Sequence, residues 1–292
     1  MHKYMQSIGF SQLNRKDLQR LVTDVIVSSN DRLYTSLDDE NIVAAFKKEI
    51  APGVGITVVG QFDENDQFSY DYYFPYVDAD MISTEEDLSI ERHAATESYA
   101  GVFEDPRMGI TVIFYLQNII PYIKVMRADL LPMKGTTLSL SALSLDGIIL
   151  MPLKKTVNDV VTNIKNNKSR NVLLTAAKSG DEEAIESLTM NDMDTYTTLA
   201  QKIKQDDLYT LVDTSFMPYG VECDQYSIIG EILECDEVVN SISGETVYRM
   251  LLLVNDILIR MAVNKKDVYG EPQRGRRYKG NIWLQGKINF PE

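Results

Sequence analysis

The fold of this chain is decided in residues 246–263, which read TVYRMLLLVNDILIRMAV. Two runs rich in β-branched and apolar residues flank the dipeptide Asn255-Asp256. Because asparagine and aspartate tolerate the positive φ angles of a two-residue turn, this pattern predicts a tight β-hairpin. Residues 226–235 and 281–289 also have strand patterns. We therefore expect a small C-terminal β-barrel over residues 221–292, with the oligonucleotide-binding (OB) barrel as one candidate.

A second β-rich region lies in the first half of the chain. The runs 55–62 and 68–75 flank the acidic stretch Asp63-Glu64-Asn65-Asp66, which predicts another hairpin. Residues 136–143 alternate between apolar and polar side chains, and Asp146-Gly147 before the apolar run 148–153 predicts a third hairpin. These features predict a mostly antiparallel sheet.

Other segments have helical or polar patterns. Apolar residues between positions 13 and 26 have helical spacing, and Ser11 is placed to cap that helix. Residues 83–100 are polar, and we expect them to include a helical turn or loop. In the middle of the chain, Gly180 and Asp181 are typical end and start signals of two consecutive helical pieces.

These patterns together predict a multi-domain α+β protein. Its 292 residues are too many for one small core. We expect an α+β domain over residues 1–153, a helical segment over 154–220 and a β-barrel domain over 221–292.

The chain is acidic, but its last 33 residues are basic. The net charge is −14, whereas residues 260–292 contain eight Lys/Arg against three Asp/Glu. The overall charge disfavours nonspecific contact with nucleic acid or anionic membranes. Guanidinium groups pair with anions and an indole ring stacks on planar partners, so a local basic site is still expected. A Gly/Arg-rich loop precedes the strand pattern at 281–289, and we call it the basic C-terminal loop. The candidate binding residues are Arg274, Arg276, Arg277 and Lys279 in this loop, with Trp283 close to it in sequence.

Cysteine content and apolar runs indicate a cytoplasmic protein. Cys223 and Cys235 are the two cysteines, and acidic neighbours disfavour a reactive thiolate at either one. The N-terminal residues lack an apolar signal segment, and the longest apolar run, 110–116, is far shorter than the ~20 residues of a membrane helix. We expect no membrane partner.

One histidine suits acid–base chemistry near neutral pH. In a helix, His93 and Glu97 would share a face, and an enzyme would use His93 with Glu91 and Glu97 in a cleft. The alternative is a salt-bridged surface or interdomain helix. The common nucleotide, hydrolase and zinc-protease motifs are missing. The sequence therefore predicts no cofactor and no metal site, and it assigns no catalytic residue.

Five short stretches carry a resemblance to a known family. They are YYFP at 72–75, ERH at 91–93, ESYAGV at 97–102, FYLQN at 114–118 and GNIWLQG at 280–286. Over its full length the chain resembles a family of clostridial-type Gram-positive bacteria that is defined as a domain of unknown function. The resemblance implies a bacterial cytosolic protein and carries over no catalytic residue.

The leading functional prediction is a non-enzymatic binding or interaction protein. Its contacts would involve the basic C-terminal loop, either with a protein partner or by docking on the acidic body of the same chain. The alternatives are an enzyme that uses His93 and a barrel that binds single-stranded nucleic acid through the basic loop.

Overall fold

The computed structural model describes residues 2–29, 31–37, 41–92, 98–153, 172–173, 176, 181–187, 190 and 212–291. Within this part the chain is mainly β-structure. The helices with defined ends are α1 (Arg15–Ser28) and α2 (Ile119–Arg127), and short 3-10 helices cover Lys3–Ile8 and Lys265–Asp267. The strands are β1 (Asp31–Ser36), β2 (Ile42–Ala51), β3 (Val54–Phe62), β4 (Phe68–Val77), β5 (Leu88–Arg92), β6 (Tyr99–Glu104), β7 (Thr111–Leu116), β8 (Thr137–Leu150), β9 (Ser215–Pro218), β10 (Gln225–Val239), β11 (Thr246–Val254), β12 (Ile257–Asn264), β13 (Val268–Tyr269) and β14 (Arg277–Asn289).

Five of these strands close into a barrel. The ring runs β8-β12-β11-β10-β14 and returns to β8. β8 runs parallel to β12, and the other neighbouring pairs are antiparallel. Apolar side chains along the strands, such as Leu252, Met261 and Leu284, are fully enclosed. The predicted small barrel is therefore present.

The barrel is not built from the C-terminal residues alone. β8 lies within the segment predicted to form the N-terminal domain, yet it pairs with β14 from Leu150↔Arg277 to Thr137↔Asn289. The expectation of a purely C-terminal barrel was wrong in this respect, because closure of the ring requires β8. The domain boundaries after residues 153 and 220 stay predictions.

Two predicted hairpins are confirmed. Asn255 and Asp256 join β11 to β12 with φ angles of 48° and 62°, the positive values that a tight hairpin turn requires. In the β3–β4 turn, one carboxylate oxygen of Asp63 accepts the backbone N–H groups of Asn65 (2.9 Å) and Gln67 (2.8 Å). These bonds satisfy two backbone N–H groups of the turn.

The third predicted hairpin was wrong. β8 passes straight through Asp146-Gly147 and continues to Leu150. Gly147 has no positive φ angle. A Cβ atom at this position would overlap the ring and hydroxyl group of Tyr278. Glycine is therefore needed here for close packing, not for a turn.

Three strands extend the barrel sheet on one side, and we call β5, β6 and β7 the wing. β7 runs parallel to β14 through Tyr115↔Gln285 and Leu116↔Gly286. β6 pairs antiparallel with β7, and β5 pairs antiparallel with β6. The sequence pattern over 83–100 did not indicate β5 or the start of β6, although residues 83–87 lie outside the strands, as a loop prediction expects.

The antiparallel sheet predicted in the first domain is present as β1-β2-β3-β4. The N-terminal residues lie against both this sheet and the barrel: the His2 backbone N–H donates to the Tyr73 hydroxyl (2.9 Å), and the Asn240 side chain donates to the Ile8 carbonyl (2.9 Å). Tyr4, Met5 and Ile8 are buried at this junction. The segment thus packs the two β-structures together.

Two helical predictions have different outcomes. The first predicted helix is α1, but its cap is Asn14, whose side chain accepts from the backbone N–H groups of Lys16 and Asp17, so the Ser11 cap was wrong. Ser11 instead donates to the carboxylate of Glu245. The predicted helical segment, 154–220, lies mostly outside the described residues. Its described residues 172–173, 176, 182–187 and 190 are helical, whereas β9 lies near its end. The α+β class is confirmed in part.

Candidate functional site

The structure encloses two of the predicted binding residues. Arg277 is 4% exposed. Its guanidinium group donates to the backbone carbonyl of Met151 (3.1 Å from both Nε and Nη2) and to that of Val212. Burial lowers the pKa of Arg277 below its ordinary value, and nearby Asp213 opposes that shift. Arg277 therefore links Met151 and Val212, the residues directly before and after the segment 152–211.

Trp283 is also enclosed, at 5% exposure. Its indole N–H donates to the Asp224 carboxylate at 2.7 Å, and its ring stacks on Tyr4 with 5.3 Å between centroids. Tyr115 covers the indole ring as well, at 5.1 Å. The stacking surface that the sequence offered for a planar ligand is occupied by the protein's own aromatic rings.

The other predicted loop residues remain at the surface. Arg274 is exposed, whereas Arg276 is half-buried and donates to the Glu271 carbonyl at 2.6 Å. Lys279 is half-buried on β14. Binding by these three residues stays a prediction.

Several basic residues flanking the predicted loop face carboxylates of the same chain. Lys265 lies 2.7 Å from Glu237. Arg260, on β12, lies 2.9 Å from Asp80 and 3.1 Å from Glu234. Part of the C-terminal positive charge is therefore balanced within the chain.

The predicted acid–base residues are only partly placed. His93 and Glu97 lie outside the described residues, and Glu91 is exposed on β5. In the part of the chain that the structure describes, no group of three His, Cys, Asp or Glu side chains is arranged to hold a metal ion. The enzyme hypothesis is neither supported nor contradicted by these positions.

A cleft of 570 Å³ lies beside β5, and we call it the acidic groove. Residues 85–90 form one wall and residues 131–137 form the other. Tyr122, Ile288 and Phe290 complete the lining. The volume lies within the range of about 300–1,000 Å³ that ligand sites usually have.

The groove follows the open edge of β5. Neighbouring residues of a strand point to opposite faces of the sheet, yet Leu88, Ser89 and Ile90 all line this cleft. A cleft on one face of the sheet would contact every second residue of the strand. A cleft that contacts consecutive residues runs along the backbone edge of the strand instead. β6 occupies the opposite edge and contributes nothing to the lining. Among the described residues, β5 pairs with β6 only.

The groove combines apolar and acidic groups. Leu88 and Ile90 on one wall face a lining that includes Met133 and Leu131, and Leu131 is 37% exposed. The exposed carboxylates are those of Glu85, Glu86 and Asp87, and none of them forms a salt bridge with a described residue. Lys134 is the basic residue of the lining. The groove therefore suits an apolar ligand that carries positive charge.

A buried ion pair anchors the chain that leads into the acidic wall. The Asp105 carboxylate accepts from the Arg107 guanidinium (2.6 and 2.9 Å) and from the Thr84 hydroxyl (2.8 Å). Burial alone would raise the pKa of Asp105, but these hydrogen bonds hold it below its ordinary value. Arg107 also donates to the Ser83 carbonyl at 3.2 Å. The residues just before the wall are thus fixed to the β6–β7 turn.

A short backbone pairing fixes the same segment to the barrel. Thr84 and Leu138 form an antiparallel bridge in which the Leu138 N–H donates to the Thr84 carbonyl at 2.9 Å. The Ser83 hydroxyl donates to the Leu258 carbonyl at 2.6 Å. The groove is therefore preformed on the barrel framework.

The sequence analysis missed the groove. A usable signal was present, since Leu88 and Ile90 alternate with polar residues directly after the acidic run 85–87. The alternation is too short to separate a strand from a loop without knowledge of β6. The opposite wall comes from residues more than 40 positions later, which no local pattern connects to β5.

Comparison with known proteins gives a family and no function. The described residues contain no helix that is both long and apolar enough to cross a membrane. Comparisons with curated proteins and with solved structures gave no significant match. One family model, described as a domain of unknown function from an E. rectale gene description (DUF3881), matches residues 5–286. That match confirms the predicted resemblance, and the chain belongs to the DUF3881 family.

Proposed function

We propose that this protein is a non-enzymatic binding protein that captures an extended segment of a partner protein in the acidic groove. The observation that carries the proposal is the coincidence of an open strand edge with a preformed cleft. Unpaired backbone N–H and C=O groups at such an edge can pair with an added strand, and adjacent pockets select its side chains. The proposal keeps the predicted class of function and moves the contact surface from the basic loop to β5.

Charge defines the partner further. The groove lining carries three carboxylates against the single ammonium group of Lys134. The whole chain has a net charge of −14, which attracts cationic partners over distances near the Debye length of about 8–10 Å. We therefore propose that the captured segment carries lysine or arginine next to its apolar residues.

Nucleic-acid binding is less well supported. An OB barrel binds its ligand across the face of two central strands, with aromatic rings stacked on bases. The corresponding hairpin here, β11–β12, is covered: Arg249 donates to the Pro52 carbonyl (3.2 Å) and Arg260 pairs with Asp80. The enclosed Trp283 offers no free ring face for a base. The OB-like comparison rests on strand number and ring closure alone.

Peptide binding tests the proposal directly. A labelled peptide with the sequence Thr-Val-Thr-Ile-Thr-Lys-Lys supplies alternating apolar residues and positive charge. We expect saturable binding to the full chain, measured by fluorescence anisotropy at low ionic strength. The variant Glu85→Gln/Asp87→Asn should weaken binding roughly three- to tenfold, because two exposed ion pairs are lost.

The matched control changes the same charge elsewhere. Glu64 and Asp66 are exposed in the β3–β4 turn, and asparagine tolerates the φ angle of 59° at position 66. The variant Glu64→Gln/Asp66→Asn should bind the peptide as the unchanged protein does. Equal weakening in both variants would assign the effect to overall charge, and absence of any binding would refute the proposal.

A further inference from the structure

The geometry of the acidic groove points to one direction and one order of residues for the captured segment. We infer that the partner segment runs antiparallel to β5 and that its basic residues follow its apolar residues in sequence. This inference rests on the proposed function and adds to it the polarity and sequence pattern of the partner.

The direction follows from the sheet that the segment would extend. β6 is antiparallel to β5 and β7 is antiparallel to β6, so the outer wing is an antiparallel sheet. An antiparallel pair has straight hydrogen bonds and is slightly more stable per residue than a parallel pair. Addition of an antiparallel strand continues the existing pattern.

The apolar positions follow from the two walls. Leu88 and Ile90 are two residues apart, and both line the groove. A paired strand places its own alternate residues beside them, at the same spacing of two. Across the groove, Leu131 and Met133 offer apolar contact to those side chains. The segment therefore needs two apolar residues separated by one residue.

The order of charge follows from where the carboxylates lie along the chain. Glu85, Glu86 and Asp87 directly precede Leu88. On an antiparallel partner, the residues opposite this acidic run come after the residue opposite Leu88. The pattern is thus apolar, any, apolar, followed within three residues by lysine or arginine. A parallel partner would require the reverse order.

Two peptides of identical composition separate these possibilities. Thr-Val-Thr-Ile-Thr-Lys-Lys has the inferred order, and Lys-Lys-Thr-Ile-Thr-Val-Thr has the reverse order. Both are acetylated and amidated, so that their termini carry no charge. We expect the first peptide to bind the full chain roughly fivefold more tightly, since only its lysines meet the carboxylates when the strand is antiparallel. The Glu85→Gln/Asp87→Asn variant should remove most of this preference.

The outcomes distinguish this inference from the proposed function. Equal affinity for the two peptides, with both weakened by Glu85→Gln/Asp87→Asn and neither by Glu64→Gln/Asp66→Asn, would overturn the inferred order while the groove remained the binding site. Tighter binding of the reversed peptide would overturn the antiparallel direction. Failure of both peptides to bind would overturn the proposed function and the inference with it.

Discussion

The barrel and the wing belong to one continuous sheet but end in opposite ways. The ring β8-β12-β11-β10-β14 returns to its first strand, whereas within the described residues the wing stops at β5. Closure leaves the strands of the ring with no open edge and encloses apolar side chains such as Leu252. The wing keeps one strand edge beside a cleft. The difference teaches how the two regions would divide the proposed function, with the barrel as the framework and the wing as the surface offered to a partner.

The largest expected effect is a difference in unfolding free energy between a substitution in the barrel core and one at the groove. Leu252 in the barrel is fully enclosed, so Leu252→Ala should lower the free energy of unfolding by about 2–5 kcal/mol through lost contacts and a residual cavity. Leu88 is half-buried at the groove, and Leu88→Ala should cost only about 1 kcal/mol. Urea denaturation of both variants checks this. Equal losses would mean that the groove wall is as tightly packed as the barrel.

A smaller effect is expected at Arg277, which is buried at the start of β14. Arg277→Met should lower the free energy of unfolding by about 2–3 kcal/mol, because the carbonyls of Met151 and Val212 lose a charged donor. Arg274→Met is the matched control, and at this exposed position the change should stay within about 0.5 kcal/mol. The same denaturation experiment measures both variants. Similar stabilities for the two variants would contradict a stabilising role for the hydrogen bonds from Arg277 to the carbonyls of Met151 and Val212.

The smallest effect concerns the ion pair that anchors the groove. The folded-state pKa of Asp105 lies below its ordinary value, so its carboxylate stabilises the fold at pH values above about 3.9, the value in an unfolded chain. That stabilisation is lost as the pH falls through the lower, folded-state pKa. Asp105→Asn should therefore lower the free energy of unfolding by about 1–2 kcal/mol at pH 6.

The pH dependence provides the check on this prediction. The difference in unfolding free energy between the unchanged protein and Asp105→Asn should shrink between pH 5 and pH 2. Chemical denaturation at several pH values measures it. A difference that stays constant down to pH 2 would show that the charge of Asp105 does not stabilise the fold.

Local sequence patterns predicted the turns better than the strand partners. Asn255-Asp256 and Asp63–Asp66 formed hairpins because their side chains suit turn geometry whatever surrounds them. Asp146-Gly147 has the same local signal, but it lies within β8, where Gly147 pairs with Gly280 and packs against Tyr278. The role of β8 in the barrel was equally hidden, because a strand pattern at 137–150 does not specify pairing with residues 257–289.

Prediction of the site was limited in a similar way. Composition identified Arg277 and Trp283 as prominent residues, but it gave no information on their burial. The structure places their polar atoms against Met151, Val212 and Asp224. β5 was missed because five residues with two apolar positions form too short a pattern. Its value as a binding edge depends on the opposite wall at 131–137.

Hydrogen exchange at the strand edges tests the central claim most directly. Amide exchange of Leu88–Arg92 is compared with and without saturating Thr-Val-Thr-Ile-Thr-Lys-Lys peptide. β1 serves as the internal control, since it too is an edge strand among the described residues. A 200 Å³ cavity beside β1 is lined by Asp31 and Leu33 but not by Arg32. This alternation is expected for a cavity on the face of the strand, so this cavity does not run along the edge of β1. We predict slower exchange in β5 and no change in β1. Peptide binding without protection of β5, or with equal protection of β1, would contradict the assignment of the open edge of β5 as the binding site.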